Sequence, residues 1–348
     1  MIRKFETRIL WDGQADEELS VLEFEIDASR YETSDVAVIS CVLKTSKKSQ
    51  WYQNDFVKSP WLTLQIRDIN KSNCWNNIFE GRVDYIRRWY GKSNIEFECR
   101  DAISSLIDFR IQDGWTNYNS RDIFSIIAQK VGLEIDVEFP DQIDDKMCGQ
   151  FWQIEHKRNL FLSQHRFQTG ADIIFDIARD MSCDVYADGQ KIMCRPIHGT
   201  PQKNDEIFDF REASCHGVLS SDVNLNKGII VFFSSWDSRQ RVSTHVYYDG
   251  NSFSQSIAEG NNKIYSFRTP GKRLEDLKRL ARAKYNRLIS HSVSSEISVP
   301  GLIGLRPRKF VALLLEGMTS YFSIERVVSH FSQQYGFIQN ITVRKRVA

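Results

Sequence analysis

Two stretches near opposite ends of the sequence share the pattern of one β-hairpin, and this repeat constrains the fold more than any other feature. Residues 82–100 cross a turn near Gly91, and residues 326–344 cross a turn near Gly336. In both, the returning strand alternates apolar and polar side chains with the period of two typical of a half-buried strand. An offset of 244 residues (344 minus 100) aligns Arg82 with Arg326, Val83 with Val327, Phe97 with Ile341, Cys99 with Val343 and Arg100 with Arg344. A strand module present twice predicts two β domains in tandem.

The strand before each hairpin also fits a repeat. Residues 60–66 alternate apolar and polar side chains after Pro60, and residues 307–315 form a more apolar run after Pro307. Proline has no backbone N–H to donate to a sheet, so it is tolerated at the first residue of a strand or outside it. The two prolines therefore mark strand starts in corresponding places.

Size and composition limit the classes of protein that the chain can represent. A chain of 348 residues favours two or three domains over one core. Lys plus Arg is 46 and Asp plus Glu is 45, which argues against a protein whose main work is neutralising phosphate. No run of about 18 apolar residues occurs, so no membrane-spanning helix is expected. Residues 1–6 lack the apolar stretch of a signal peptide, so none is expected. The seven scattered cysteines favour a reducing compartment.

Changes in hydrophobic pattern divide the chain into three predicted domains. Residues 1–108 are rich in strand patterns, including residues 21–26 and 36–43, and end in a short helix over residues 101–108. Residues 109–205 mix helix and strand, and residues 206–348 return to strand. The predicted class is α+β, mainly β, with a mixed α/β domain inserted between two β domains.

The middle domain carries local signals for helices and turns. Ser120 is the predicted N-cap of a helix over residues 121–130 that Gly132 ends, before a strand over residues 133–139. Thr169 and Asp172 predict a capping box at the start of a second helix. Further on, Asp188-Gly189 between two alternating runs predicts a hairpin, and Pro196 and Pro201 mark a linker.

The last domain is predicted to hold a buried strand, a polar segment and a long helix. Residues 228–233 form the apolar run, and residues 234–268 form a polar, hairpin-rich excursion with a turn at Asp249-Gly250. Residues 272–290 show the spacing of an amphipathic helix. The second copy of the hairpin closes the chain.

Known chemical motifs are weak or absent in the sequence. Gly91-Lys92-Ser93 resembles the end of a phosphate-binding loop, but position 86 is Ile and the tripeptide lies in a turn between strands. Two sets of candidate metal ligands lack the close pairs typical of zinc sites. They are Cys183, Cys194 and His198, and Cys215 with His216. We expect buried thiols and surface histidines there, and no metal or cofactor.

Two further candidate sites have a catalytic or a binding interpretation beside a simpler one. His156 and His165 near Glu155 could serve acid–base chemistry, but a solvated loop is favoured. The helix over residues 272–290 is basic, and its long side chains either cover apolar surface or bind an acidic partner. Its cations are Lys272, Arg273, Lys278, Arg279, Arg282, Lys284 and Arg287.

Two strings of residues carry a resemblance to a known family. One string runs from Phe79-Glu80-Gly81-Arg82-Val83-Asp84 to Glu96-Phe97-Glu98-Cys99-Arg100-Asp101-Ala102. A more specific string is Tyr321-Phe322-Ser323-Ile324-Glu325-Arg326-Val327-Val328-Ser329-His330-Phe331. With these strings, nearly the whole chain resembles baseplate hub proteins of phage tails, the late control protein D group. One departure is that Arg308 follows Pro307 where the group usually has a glycine.

The resemblance implies a particular architecture and assembly. Each chain would contribute two tube-type β-barrels, and three chains would form a ring with pseudo-sixfold symmetry. Such a homotrimer would join a six-fold tail tube to a three-fold spike. No spike segment follows Ala348, so the spike is expected to be a separate protein. Because open strand edges favour association, neighbouring barrels are expected to pair them.

The resemblance also implies partners and a location. The expected partners are the tail spike protein, the tail tube protein and other baseplate proteins, with DNA passing through the lumen without specific binding. The location would be the virion tail, assembled in the host bacterial cytoplasm, with no membrane insertion and no enzymatic activity. Two alternatives remain open: a tail-associated hydrolase of cell-wall carbohydrate, which needs only two carboxylates placed close together, and a binder of single-stranded nucleic acid.

Overall fold

The computed structural model describes residues 3–44, 60–71, 74–111, 118–140, 168–211, 216–237, 241–256, 263–315 and 317–346. The helices are α1 (Ile103–Asp108), α2 (Ser120–Val131), α3 (Gly170–Asp180), α4 (Val223–Asn226) and α5 (Leu274–Ile289). The strands before α1 are β1 (Phe5–Trp11), β2 (Gln14–Ala15), β3 (Leu19–Ser29), β4 (Val36–Leu43), β5 (Trp61–Asp68), β6 (Asn76–Arg88) and β7 (Asn94–Arg100). Those in the middle are β8 (Glu134–Val137), β9 (Cys183–Asp188), β10 (Lys191–Pro196), β11 (Ile207–Asp209) and β12 (His216–Ser221). The remainder are β13 (Ile229–Asp237), β14 (Val242–Tyr248), β15 (Phe253–Ser254), β16 (Lys263–Arg268), β17 (Val293–Pro300), β18 (Phe310–Leu315), β19 (Met318–Ser332) and β20 (Gly336–Arg344).

Strand dominates the architecture. Of the described residues, 52% lie in strands and 18% in helices, so the predicted mainly β class is confirmed. The described strands form one thirteen-stranded sheet, one three-stranded sheet and one four-stranded sheet. The largest sheet holds most of the two predicted β domains and therefore organises the molecule.

The thirteen-stranded sheet contains the same order of strands twice. We define the first β unit as β1–β7 and the second β unit as β11, β12 and β17–β20. In the first, the neighbours run β3-β4-β7-β6-β5-β1; in the second, they run β12-β17-β20-β19-β18-β11. Each unit has its own apolar core, built around Ile39, Leu64 and Phe97 in one and Val311, Phe322 and Val343 in the other. Only the last strand of each order differs in direction, since β1 is antiparallel to β5 whereas β11 is parallel to β18.

A bulge at the same place in both hairpins fixes the correspondence between the units. The pairing of β6 with β7 shifts between Val83 and Tyr85, and that of β19 with β20 shifts between Ile324 and Arg326. A bulge inserts one extra residue in one strand, and here that residue is acidic in both hairpins. The extra residues are Asp84 and Glu325.

The bulges correct the alignment expected from the sequence. Arg100 pairs with Arg82, whereas Arg344 pairs with Ser323, so Arg82 corresponds to Ser323. The predicted match of Arg82 with Arg326 is wrong by three residues, while that of Arg100 with Arg344 is consistent with the pairing. The reason is hairpin length, because 18 residues separate the first pair (100 minus 82) and 21 separate the second (344 minus 323).

A small sheet unit lies between β12 and β17 in the second β unit. It consists of α4, β13–β16 and α5, with strand order β15-β14-β13-β16. Its core packs Leu277 and Ala281 of α5 against Val231 and Val246. The segment predicted as a polar excursion is thus most of this sheet, and the corresponding turn in the first β unit is only residues 30–35.

The middle of the chain forms a third packed unit in which local sequence signals are mostly confirmed. Helices α1, α2 and α3 cover the sheet β8-β10-β9. Thr169 and Asp172 form the predicted capping box, and the predicted hairpin joins β9 to β10. The N-cap of α2 is Asn119 rather than Ser120, because the Asn119 side chain accepts from the backbone N–H of Asp122.

Candidate assembly surfaces

The two β units are joined edge to edge by strands β3 and β19. The first part of β19, from Met318 to Ser323, pairs with β18, and the second part, from Arg326 to Ser332, pairs with β3 along residues 23–29. Both partners are antiparallel to β19. The join therefore continues the backbone hydrogen bonding of one unit into the next and removes an open edge from each.

Side chains reinforce this β3–β19 joint on both faces. The rings of Phe24 and Phe331, which lie opposite each other, stack with centroids 5.2 Å apart. The guanidinium of Arg326 donates to both carboxylate oxygens of Asp27, at 2.8 and 2.6 Å. Cross-strand pairs of this kind stabilise a sheet by roughly 0.2–1 kcal/mol each. The joint thus combines aromatic stacking with ion pairing.

The strand segments corresponding to β19 and β3 have exposed apolar side chains instead of such a joint. Strand β6 corresponds to β19. One edge of β6 pairs with β7 along Tyr85–Arg88; on the other edge, the pairing with β5 ends at Arg82, and none of the described strands pairs beyond it. Strand β12 corresponds to β3 and, among the described strands, pairs with β17 alone. Tyr85 is 53% exposed, and Val218 on β12 is 67% exposed.

A charged junction links the first β unit, the middle of the chain and the second β unit. We use this term for Arg30, Asp184, Arg308, Glu325 and Arg346. Arg30 Nε donates to the carboxylate of Asp184 at 2.6 Å, and its Nη1 lies 3.7 Å from the carboxylate of Glu325. Arg346 donates to both oxygens of Glu325 at 2.8 Å. Removing one partner of such a buried set would leave an uncompensated charge.

Electrostatics in the charged junction favour fixed charges over acid–base chemistry. Burial raises the pKa of Asp184 and of Glu325, but neighbouring arginines outweigh it and hold both pKa values below the ordinary range. A general acid needs the opposite shift. The charged junction is consequently suited to holding three parts of the chain together.

Arg308 occupies the position where the resembling group usually has glycine, and it keeps the conformation that glycine favours. Its φ is 76°, in the left-handed region. The guanidinium lies 4.4 Å from the ring centroid of Tyr186, and its Nη2 is 3.4 Å from the carbonyl oxygen of Val185. The chain thus keeps the expected turn without glycine, and the side chain gained there contacts the middle unit.

A cleft of about 770 Å³ lies beside the charged junction. It is lined by α3, α5 and the end of the second β unit, and its arginines include Arg179, Arg279 and Arg287. Its acidic side chains are paired: Glu32 lies 3.3 Å from Arg179 and 3.6 Å from Arg287. The cleft is therefore positively charged overall. The pKa values of its buried carboxyls Asp184 and Glu325 are lowered by neighbouring arginines, whereas the acid in glycoside hydrolysis needs a raised pKa.

The basic helix predicted from the sequence is α5, and part of its charge covers apolar rings. The guanidinium of Arg282 lies 5.5 Å from the ring centroid of Phe253, and the ammonium of Lys284 lies 4.7 Å from that of Phe267. Arg279 lies 3.7 Å from Asp276. These contacts support the interpretation that long basic side chains shield the small sheet unit.

The predicted metal candidates do not gather into a site in the part of the chain that is described. No group of three or more His, Cys, Asp or Glu there could hold a metal ion. Cys183 and Cys194 are buried, and hydrogen bonding between the two thiols together with burial raises the pKa of Cys183. Cys215, Glu155, His156 and His165 lie outside the described residues. No helix of the described residues is long and apolar enough to cross a membrane.

Comparison with known proteins was informative only at the level of structure. No protein-family model and no curated protein matches the sequence. A 43 kDa tail protein of prophage MuSo2 from Shewanella oneidensis matches with a TM-score of 0.66 at 14% identity, over 98% of each chain. A tail protein from Neisseria meningitidis matches with a TM-score of 0.66 at 11% identity, over 98% of this chain and 96% of that one.

A third structure extends the likeness to a secretion apparatus. It is an Escherichia coli component of the type VI secretion system, described as similar to two tail proteins of bacteriophage T4. The TM-score is 0.57 at 8% identity, over 97% of this chain and 76% of that one. The resemblance expected from the sequence is confirmed in the fold: this chain has the fold of phage tail proteins.

Proposed function

We propose that the chain is the structural hub of a phage tail tip or of a related contractile injection apparatus. Three copies form a ring with pseudo-sixfold symmetry that adapts the tail tube to the spike. One observation carries the proposal: a single chain holds two β units with the same strand order, already joined edge to edge through β3 and β19. Each unit acts as one tube-like barrel in the ring.

The physical advantage of the tandem lies in symmetry. A six-fold tube and a three-fold spike cannot present matching surfaces to each other directly. A trimer with two similar units per chain offers six similar contacts on one face, and the differences between the units leave three-fold contacts on the other. Closed cyclic symmetry also pairs the sheet edges that would otherwise promote aggregation.

The proposed partners follow from this position. They are the tail tube protein, the spike protein and other baseplate proteins, in the virion tail after assembly in the host cytoplasm. DNA passes through the lumen without specific binding, and no catalysis takes place. The likeness to tail proteins and to a secretion component supports this environment.

The basic helix α5 is a candidate contact with surrounding baseplate proteins. Arg279 and Arg282 line the positively charged cleft. Replacing both with Glu should reverse the local charge and reduce incorporation into particles, measured as the fraction of complete tails in an assembly assay. Normal particle assembly by this variant would contradict the proposed role of α5 without affecting the hub assignment.

The oligomeric state tests the proposal directly. Light scattering on the purified chain should give a mass of three chains, and negative-stain images should show rings with a central channel. A monomer at all concentrations would contradict the proposal. Clearing of a cell-wall suspension would favour the hydrolase instead, and salt-dependent oligonucleotide binding would favour a binder of single-stranded nucleic acid.

A further inference from the structure

The β3–β19 joint is a template for a contact that the isolated chain lacks. The two β units correspond strand by strand, so any contact between the units has a counterpart in which each strand is replaced by its equivalent. Strand β19 of the second unit corresponds to β6 of the first, and β3 of the first corresponds to β12 of the second. The counterpart of β3–β19 is therefore a pairing of β12 with β6.

Within one chain, β6 and β12 have other neighbours and are not paired with each other. A β12 edge can meet a β6 edge of a second copy, and repetition of the same contact then leads from chain to chain. Such a head-to-tail contact closes into a ring when its rotation matches a whole fraction of a turn. In that ring, every unit would meet the next through the same kind of strand pair.

The register of this contact follows from the pairing already present. Val327 lies opposite Ala28, and Val328 lies opposite Asp27. Because the bulges follow Ile324 in β19 and Val83 in β6, equivalent residues of these strands differ by 241 in number (324 minus 83). Val327 and Val328 therefore correspond to Ile86 and Arg87. Asp27 lies opposite Val36, and the equivalent of Val36 is Ser294, which lies opposite Ser220. Asp27 therefore corresponds to Ser220, and Ala28 corresponds to Ser221.

We propose that β12 of one chain adds to β6 of a neighbouring copy as an antiparallel strand, with Ser221 opposite Ile86 and Ser220 opposite Arg87. This inference rests on the proposed hub function and specifies its chain-to-chain contact. The exposed side chains support it. In addition to Tyr85 and Val218, Leu219 is 49% exposed and Tyr90, just beyond β6, is fully exposed.

These residues place exposed apolar side chains at both edges, Tyr85 and Tyr90 at that of β6 and Val218 and Leu219 at that of β12. Apolar side chains along an edge strand are a hazard in a protein that stays monomeric, because the unpaired backbone beside them can recruit another strand. They lie on the edges of β6 and β12, which are the equivalents of the two strands joined within the chain. The occupant of each edge is therefore the other edge of a second copy of this chain. Other proteins with an exposed strand are the alternative occupants that the experiment distinguishes.

Cysteine cross-linking tests the register. The background protein has Cys74, Cys148 and Cys215 replaced by Ser, which leaves the buried Cys41, Cys99, Cys183 and Cys194. Two variants carry the predicted pairs, Ile86→Cys with Ser221→Cys and Arg87→Cys with Ser220→Cys. Adjacent pairs in an antiparallel ladder alternate between wide and close spacing, so at least one has the shorter separation. Oxidation should join chains into covalent dimers and trimers on non-reducing gels.

A variant with Tyr85→Cys and Val218→Cys is the matched control. It uses the same two edges, but Tyr85 is predicted to lie opposite Asp222, four residues from Val218, or roughly 13 Å along the strand. Cross-linking of the control as strong as that of the predicted pairs would overturn the register. Rings that form without cross-linking in either predicted pair would overturn the β6–β12 contact and leave the hub function standing. Absence of rings in the background protein would instead contradict the hub function itself.

Charge substitution on the edge gives an independent measurement. Val218→Lys and Leu219→Lys change exposed side chains, so each variant should fold and keep the thermal unfolding midpoint of the parent. Lysine on an edge strand opposes pairing, and the concentration needed for half-assembly should rise about tenfold or more. Trp236→Lys, on the small sheet unit and 55% exposed, is the control. Equal assembly by the edge variants and this control would contradict the proposed contact.

Discussion

The two β units differ most in what connects equivalent strands. In the first unit, a turn of six residues, 30–35, joins β3 to β4. In the second, the same place between β12 and β17 holds the whole small sheet unit. The pairing on either side is nevertheless alike, because Val36 lies opposite Arg100 as Ser294 lies opposite Arg344. The sheet therefore tolerates a large insertion at one turn as long as the flanking register is kept.

A second difference lies in the burial of the bulge carboxylate. Glu325 is 1% exposed and bound by arginines of the charged junction. Asp84 is 36% exposed and pairs with Arg100 at the surface. The bulge residue thus helps to hold three parts of the chain together in the second unit, whereas in the first unit it lies at the surface. Substitutions at matched positions can test how far the two units are energetically alike.

The largest effect is expected at the buried bulge carboxylate. Glu325→Gln removes the negative charge that faces Arg30 and Arg346, and it leaves both guanidinium groups partly uncompensated in a buried place. The free energy of unfolding should fall by about 3–5 kcal/mol. Chemical denaturation measures this loss. A change below about 1 kcal/mol would mean that the charged junction does not hold the units together.

One matched pair of positions shows opposite packing in the two units. Gly81 pairs with Leu62, and Phe322 occupies the equivalent place opposite Val311. Phe322→Ala would leave a cavity, since the ring is 1% exposed, and should cost about 3–5 kcal/mol. Gly81→Ala should cost about 1–3 kcal/mol, because its Cβ would lie 2.3 Å from the carbonyl oxygen of Arg100. Denaturation of both variants measures the contrast, and a tolerated Gly81→Ala would contradict the tight backbone approach.

Between about pH 4 and 8, the pH dependence of stability should come mainly from the first unit. Burial and the charge of Asp35 raise the pKa of Asp101 to about 7 from an ordinary value of 3.8. Since the folded pKa exceeds the unfolded one, this carboxyl stabilises the folded state fully below about pH 4, and the stabilisation is lost as pH rises through 7. The equivalent residue in the second unit is Lys345, which follows Arg344 as Asp101 follows Arg100.

Asp101→Asn should therefore flatten the pH profile. The neutral amide oxygen can still accept from Ser34 Oγ and the N–H of Ile103, as the carboxylate does at 2.7 and 3.0 Å. At pH 8 the variant should be more stable than the parent by about 1–2 kcal/mol, with little difference at pH 4. Thermal unfolding across this pH range measures the difference. A parallel shift of the curve at all pH values would exclude Asp101 as the source.

The smallest effect is expected at the exposed bulge carboxylate. Asp84→Asn weakens a surface pair with Arg100, and exposed pairs contribute about 0–1 kcal/mol. Added salt should reduce the difference between variant and parent further. Denaturation at low and high salt measures it. A loss as large as that of Glu325→Gln would show that the two bulges are equivalent in energy as well as in geometry.

Local structure in this protein was predictable from the sequence because its causes are local. The capping box of Thr169 and Asp172 and the turn at Gly189 depend on residues within a few positions of one another. The correspondence of Arg82 with Ser323 was not predictable, since it depends on a bulge and on a hairpin three residues longer. The offset of 244 residues aligned the second strand of the two hairpins correctly and misaligned the first strand by three residues.

The assembly surfaces depend on contacts that no local pattern reveals. Arg30, Asp184 and Glu325 meet although more than 140 residues separate each from the next along the chain (184 minus 30, and 325 minus 184). Strand β12 was missed because its six residues are all exposed and lack a clear alternation. Its pairing with β17 depends on residues on the far side of the small sheet unit.

Covalent linkage of β3 and β19 has a kinetic consequence. The two strands belong to one polypeptide, so their effective concentration is set by the connecting chain and does not fall when expression is low. In the proposed ring, half of the six joints would then form during folding, and only the other half would require collisions between molecules. Joining two ring units in one polypeptide would in this way speed assembly when the protein is scarce.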